Sequence, residues 1–129
     1  MAPEDVELAL TLPFDSIMID ASALEEADNI AFCANTVKKA QAVGISIEVE
    51  MGRIEGGEDG LPQVDIGTVL TDPLEAASFM TKTGAHFLAP SFGNIHGGYG
   101  KGGPEASWNI DLQVSLTIYG TYTDFLQTD

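Results

Sequence analysis

Basic side chains are scarce in this sequence. Five Lys and Arg stand against 20 Asp and Glu over 129 residues, a formal net charge of -15. Lys38, Lys39, Arg53, Lys82 and Lys101 are too few and too scattered to form the cationic face that phosphate neutralisation demands, which excludes a nucleic acid as partner. The same shortage disfavours an anionic membrane surface. Cysteine is limited to Cys33, so no disulfide can close within the chain, and the first residues, MAPEDVELAL, lack the basic start and apolar core of a secretory signal. A cytoplasmic, reducing location is expected. No stretch approaches the roughly 20 consecutive apolar residues of a membrane span. Histidine occurs only as His86 and His96. What remains is a composition 44% hydrophobic, enough for a folded core and consistent with one acidic, soluble domain over 1–129.

Elements alternate along the chain. After an acidic amphipathic stretch, Pro3 to Leu10, the run Phe14 to Asp20 (FDSIMID) reads as a buried strand ending on a carboxylate. From Asn29 to Val43, Ile30, Cys33, Val37 and Ala40 recur at spacings of three and four, with Gly44 just beyond, which predicts a helix with a glycine stop. Ile45 to Met51 (ISIEVEM) alternates in period two, a strand with two glutamates on one face. Gly52 to Gly67 reads as a long polar loop. Asp72-Pro73-Leu74-Glu75 carries an N-cap, a first-turn proline and a capping-box glutamate, opening a helix that ends near Gly84. His86 to Phe92 (HFLAPSF) predicts a third strand, and Gly93 to Gly103 a second glycine-rich loop. Strand, helix, strand, helix, strand is the order of a parallel α/β sheet. Residues 104–129 depart from the alternation, and the Thr- and Tyr-rich Asn109 to Asp129 predicts one or two short strands.

In parallel α/β folds, ligands bind beyond the carboxyl ends of the strands. Asp20 closes the first predicted strand, Glu50 lies one residue from the end of the second, and His96 follows the third. Carboxylates and an imidazole converging there would be a ligand set for a divalent metal. Each has a plainer reading beside it: Asp20 as a loop cap, Glu50 as a solvated charge on a strand face. His96, among glycines, has no apolar face to fill, whereas His86 opens an apolar run and reads as structural. Glu58 and Asp59 in GGEDG form either a solvated turn or an acid/base on a loop that swings over a site.

The segments FDSIMIDAS, IEVEMGRIEGGEDG, TDPLEAASFMTKTG and LAPSFGNIHGGYG together resemble the class II, metal-dependent fructose-bisphosphate aldolases, and the class IIA branch in particular, over about Val6 to Lys101. The resemblance implies a (β/α)₈ TIM barrel and a lyase that reversibly cleaves fructose 1,6-bisphosphate to dihydroxyacetone phosphate and glyceraldehyde 3-phosphate. Zn2+ would polarise the ketone as a Lewis acid. By the same resemblance His96 is a zinc ligand, and Asp20 and Glu50 belong to the neighbouring or alternate metal position. Glu58 is the acid/base that moves the substrate proton. Gly97 offers backbone to a phosphate or monovalent-cation site, and Lys101 stands near the family's phosphate lysine, with Gly100 intervening.

The family holds zinc with three histidines. The strand bearing the first of them, with a catalytic aspartate, would lie before residue 1, and Tyr119 stands where the third is expected. A complete barrel takes about 250 residues. The chain is therefore expected to be a partial barrel of three to four consecutive β/α units, equivalent to strands four to six with a relic of the seventh in Ser115 to Tyr119. Open sheet edges then call for a second copy of the chain or a repacked layer. The alternative to a lyase is a non-catalytic remnant acting as a weak cation-binding or association module.

Overall fold

The computed structural model describes residues 3–51, 70–95, 99 and 101–116. Elements follow in the order α1 (Pro3–Ala9), β1 (Ser16–Ile19), α2 (Glu26–Val43), β2 (Ser46–Glu50), α3 (Pro73–Thr83), β3 (Phe87–Ala89) and a 3₁₀ turn over Pro104–Ala106. The residues group into two compact units, Met1–Met51 with Ser78–Ala89, and Gly52–Ala77 with Pro90–Asp129.

In the first unit the strands form a sheet of order β1-β2-β3, both pairs parallel, as the alternation predicts. Ile17 pairs with Ile47, and Ile19 with Val49, which pairs in turn with Leu88. Period-two alternation puts these aliphatics on one face. There they cluster with Cys33, Val37 and Ala40 of α2 and Phe79 of α3. The opposite face carries the row Met18, Glu48, Phe87, and Phe87 is 54% exposed.

α2 starts at Glu26, three residues before the periodicity suggests, and its first turn holds Glu26 and Asp28, favourably placed against the helix dipole. It stops where expected. Gly44 turns left-handed at φ 77°, its N–H donating to Gln41 O while the Ile45 N–H donates to Ala40 O at 3.0 Å, a Schellman ending. Lys39 of α2 forms a salt bridge with Glu7 of α1, both exposed.

His86 is structural, as read from the sequence. Its N–H donates to Ile47 O at 2.9 Å and its imidazole Nδ1 accepts the Ile47 N–H at 3.0 Å. The ring takes the place of a main-chain acceptor just ahead of β3, in the tautomer that leaves Nδ1 unprotonated.

β3 is shorter than the expected His86 to Phe92. Pro90 follows Ala89 directly and has no N–H to continue the ladder. β1 likewise lacks Phe14 and Asp15 at its start, although Asp15 O still accepts the Ser46 N–H at 2.9 Å.

In the second unit the Asp72 cap is as read: Oδ1 accepts the N–H of Leu74 at 2.9 Å and of Glu75 at 3.0 Å. The expectation of strands after Asn109 is corrected for the described part. Residues 110–116 are helical, so Ser115 and Leu116 belong to no relic strand. Asn109 explains it: its Oδ1 accepts the Leu112 N–H at 3.0 Å and its main-chain O the Gln113 N–H at 3.1 Å. That cap outweighs the β-leaning composition beyond it. Tyr119 and the loop Gly52 to Gly67 lie outside the described residues.

Candidate functional site

Asp20 and Glu50 are brought to one edge. Because Ile19 pairs with Val49 in the parallel register, the next residues along the two strands, Asp20 and Glu50, fall at the same level, Asp20 just past the end of β1 and Glu50 still paired with Ala89 of β3. Their surroundings differ. Asp20 is exposed, and its Oδ1 accepts from the Ser22 N–H at 2.9 Å and the Ser22 hydroxyl at 2.6 Å, so the loop-cap reading holds for it at least in part. Glu50 is 5% exposed, which corrects the reading of it as a solvated strand-face charge.

Two α2 residues that the sequence offers only as the start and an apolar position of a helix, Asn29 and Cys33, stand against this edge. Asn29 is buried, and its Nδ2 donates to the main-chain O of Glu50 at 3.2 Å. Cys33, one turn on, donates its thiol to Asn29 Oδ1 at 3.1 Å. Burial first, and the negative charge of Asp20 second, push the Cys33 thiol up to about 11, so it stays protonated and unreactive at neutral pH. A buried Asn at helical spacing among apolar residues was the available signal, since such an amide must have partners.

In the second unit, the segment leading to His96 is pinned residue by residue. Thr71 N–H donates to Ser91 O at 2.8 Å, and Thr71 Oγ1 accepts the Ser91 N–H at 2.8 Å. Asn94 Oδ1 accepts the Phe92 N–H at 2.9 Å. Gly93 sits at φ 99° so close to the Ser107 carbonyl that a Cβ would stand 1.9 Å from its oxygen. Tyr99 Oη accepts from the Ile95 N–H at 3.0 Å and from Trp108 Nε1 at 2.7 Å, and the Trp108 ring meets Tyr99 and Phe92 edge-on. Tyr99 and Trp108 were not singled out in the sequence. Lys101 is exposed in the turn that follows. His96, Gly97 and Glu58 lie outside the described residues, and among the described residues no group of three or more His, Cys, Asp or Glu is placed to hold a metal ion.

The family model for class II fructose-bisphosphate aldolase matches residues 1–118. The chain belongs to the class II fructose-bisphosphate aldolase family. Relatives in this family include a Coccidioides immitis (strain RS) protein carrying the fructose-bisphosphate aldolase name, 46% identical over 116 residues, 83% of this chain and 38% of that one. The fructose-bisphosphate aldolase of Streptococcus pyogenes serotype M3 is 44% identical over 96 residues, 74% of this chain and 31% of that one. A crystal structure of the aldolase-named protein from Coccidioides immitis superposes with a TM-score of 0.75 at 38% identity, covering 92% of this chain and 41% of that one. The chain thus spans well under half the length of these relatives.

The class II aldolase family is metal-dependent, and the donors present suit a divalent ion in part. Asp20 and Glu50 supply oxygen ligands of the kind such ions accept, side by side at the strand ends.

Proposed function

We propose that the chain forms the metal-side portion of a class II aldolase active site, cytoplasmic, built on consecutive units of a (β/α)₈ barrel. The reaction is the reversible cleavage of fructose 1,6-bisphosphate to dihydroxyacetone phosphate and glyceraldehyde 3-phosphate. The observation that carries this reading is the placement of Asp20 and of a buried Glu50, its main chain held by Asn29, at the carboxyl ends of adjacent parallel strands. That is where barrel chemistry is done. His96, Asp20 and Glu50 are the residues that would hold Zn2+, which when bound supplies Lewis-acid polarisation of a ketone.

The remaining roles belong to side chains and backbone of this chain. Glu58 takes and returns the substrate proton, a task for a carboxylate carried by a loop. Gly97 main chain and the Lys101 ammonium receive phosphate oxygens. With a net charge of -15, the chain gains nothing from long-range attraction to a bisphosphate, so these local donors must hold it.

The 129 residues carry two histidines where the family uses three. The purified chain is therefore expected to bind Zn2+ weakly and to cleave fructose 1,6-bisphosphate negligibly. Equilibrium dialysis of Zn2+ and a coupled cleavage assay check this. His96→Ala should weaken zinc binding at least tenfold while Glu58→Ala leaves it unchanged. Zinc binding indifferent to His96→Ala overturns the site. One tightly bound zinc per chain, or turnover at ordinary enzymatic rates, shows that these residues suffice without further histidines.

A further inference from the structure

Asn29 occupies a costly position. An amide in the interior of an apolar helix face competes for main-chain bonds and must be satisfied where it is buried. A leucine of similar size would bury apolar area at no such cost. Here both ends of the amide are used. Nδ2 donates to the main-chain O of Glu50 at 3.2 Å, and Oδ1 accepts the Cys33 thiol at 3.1 Å. The Glu50 carbonyl, which can only accept, decides which way the amide faces: the nitrogen must point at it, since a flipped amide would set oxygen against oxygen, and the Cys33 thiol then satisfies the oxygen left over.

The bond falls at the last residue of β2, where the sheet ladder stops. Holding the Glu50 carbonyl fixes the peptide plane beyond it and hence the direction in which its side chain departs. A strand-end carboxylate without such a brace lies where the ladder no longer restrains the main chain and is subject to local opening.

We propose that Asn29, its amide oxygen held by Cys33, is a positioning residue that fixes Glu50 for cation binding at the strand-end site. The proposal rests on the aldolase reading of Glu50 as a metal-side carboxylate. Asn29 touches neither metal nor substrate. It acts through the Glu50 main chain, as outer residues commonly do toward a ligand.

The test is Zn2+ affinity of the full chain, measured by calorimetry at millimolar metal, with thermal melting of every variant alongside. Glu50→Gln should weaken binding at least tenfold. Asn29→Leu, close in size and apolar, should also weaken it by about tenfold, the lower end of what removing an outer partner of a metal ligand does. Cys33→Ala should weaken it severalfold, and Cys33→Ser, which keeps a donor to Asn29 Oδ1, should recover most of the loss. Asn29→Ala serves should Asn29→Leu fail to fold. A Glu50-dependent affinity that Asn29→Leu or Asn29→Ala leaves unchanged, with only the melting temperature altered, makes Asn29 a packing residue and overturns the proposal alone. Zinc binding absent from the wild-type chain, or unmoved by Glu50→Gln, overturns the aldolase reading of Glu50 and this proposal with it.

Discussion

At the scale of single residues, Cys33 links burial to pH. Its thiol ordinarily ionises near 9.0 and is pushed up to about 11 in the fold, by desolvation first and by Asp20 second. Below pH 9 the thiol is protonated in both folded and unfolded chains, and its contribution to stability is fully present. Between pH 9 and 11 only the unfolded chain releases the proton, so stability falls as pH rises, by on the order of 2 kcal/mol. Urea denaturation across this range should show that fall, and the difference between wild type and Cys33→Ala should shrink as pH increases. Composition and spacing pointed to Asp20 and Glu50 because strand ends are where parallel sheets place chemistry. The helical spacing of Asn29 with Cys33 marked it as facing the core, but its partner did not show, because a hydrogen bond across 21 positions leaves no periodic trace. Gly93 shows the same limit. Its presence in SFGN-x-HG was visible, but the reason for it, the Ser107 carbonyl against its α-carbon, is a tertiary contact.

At the scale of elements, punctuation was the most legible feature. Asp72 before Pro73, and Gly44 after Val43, each act through a local bond that sequence order alone specifies. Asp72→Ala should cost about 1 kcal/mol through loss of the cap. His86→Ala should cost about 1 to 3 kcal/mol, because the Ile47 N–H loses its acceptor at the margin of the sheet. Thermal denaturation of both variants checks the pair, and a His86→Ala chain as stable as wild type would show that main chain or water replaces the ring. Strand lengths were less legible. β3 ends at Pro90 although the apolar run continues through Phe92, since hydrophobicity reports burial and only the N–H reports pairing. The segment after Asn109 was misread because Thr and Tyr further on outweighed a single capping asparagine.

At the scale of the molecule, a parallel three-stranded sheet with aliphatics under its helices leaves a second face bearing Met18, Glu48 and Phe87. In the barrel proposed above, that face looks inward. For the isolated chain the expected outcome is self-association. Light scattering at micromolar concentration should give a mass above 13.6 kDa, and Phe87→Lys should lower it toward that value. A monodisperse monomer of the wild-type chain would show that the face and edges are covered from within. Trp108 adds a practical consequence. It is the single tryptophan, and its indole N–H is bonded to the tyrosine oxygen that also holds the amide of Ile95, next to His96. The emission of the whole chain under tryptophan-selective excitation therefore originates beside the segment that leads to His96. Wavelength and quenching of that emission give a label-free optical readout for titrating the chain with zinc or with a phosphate ester.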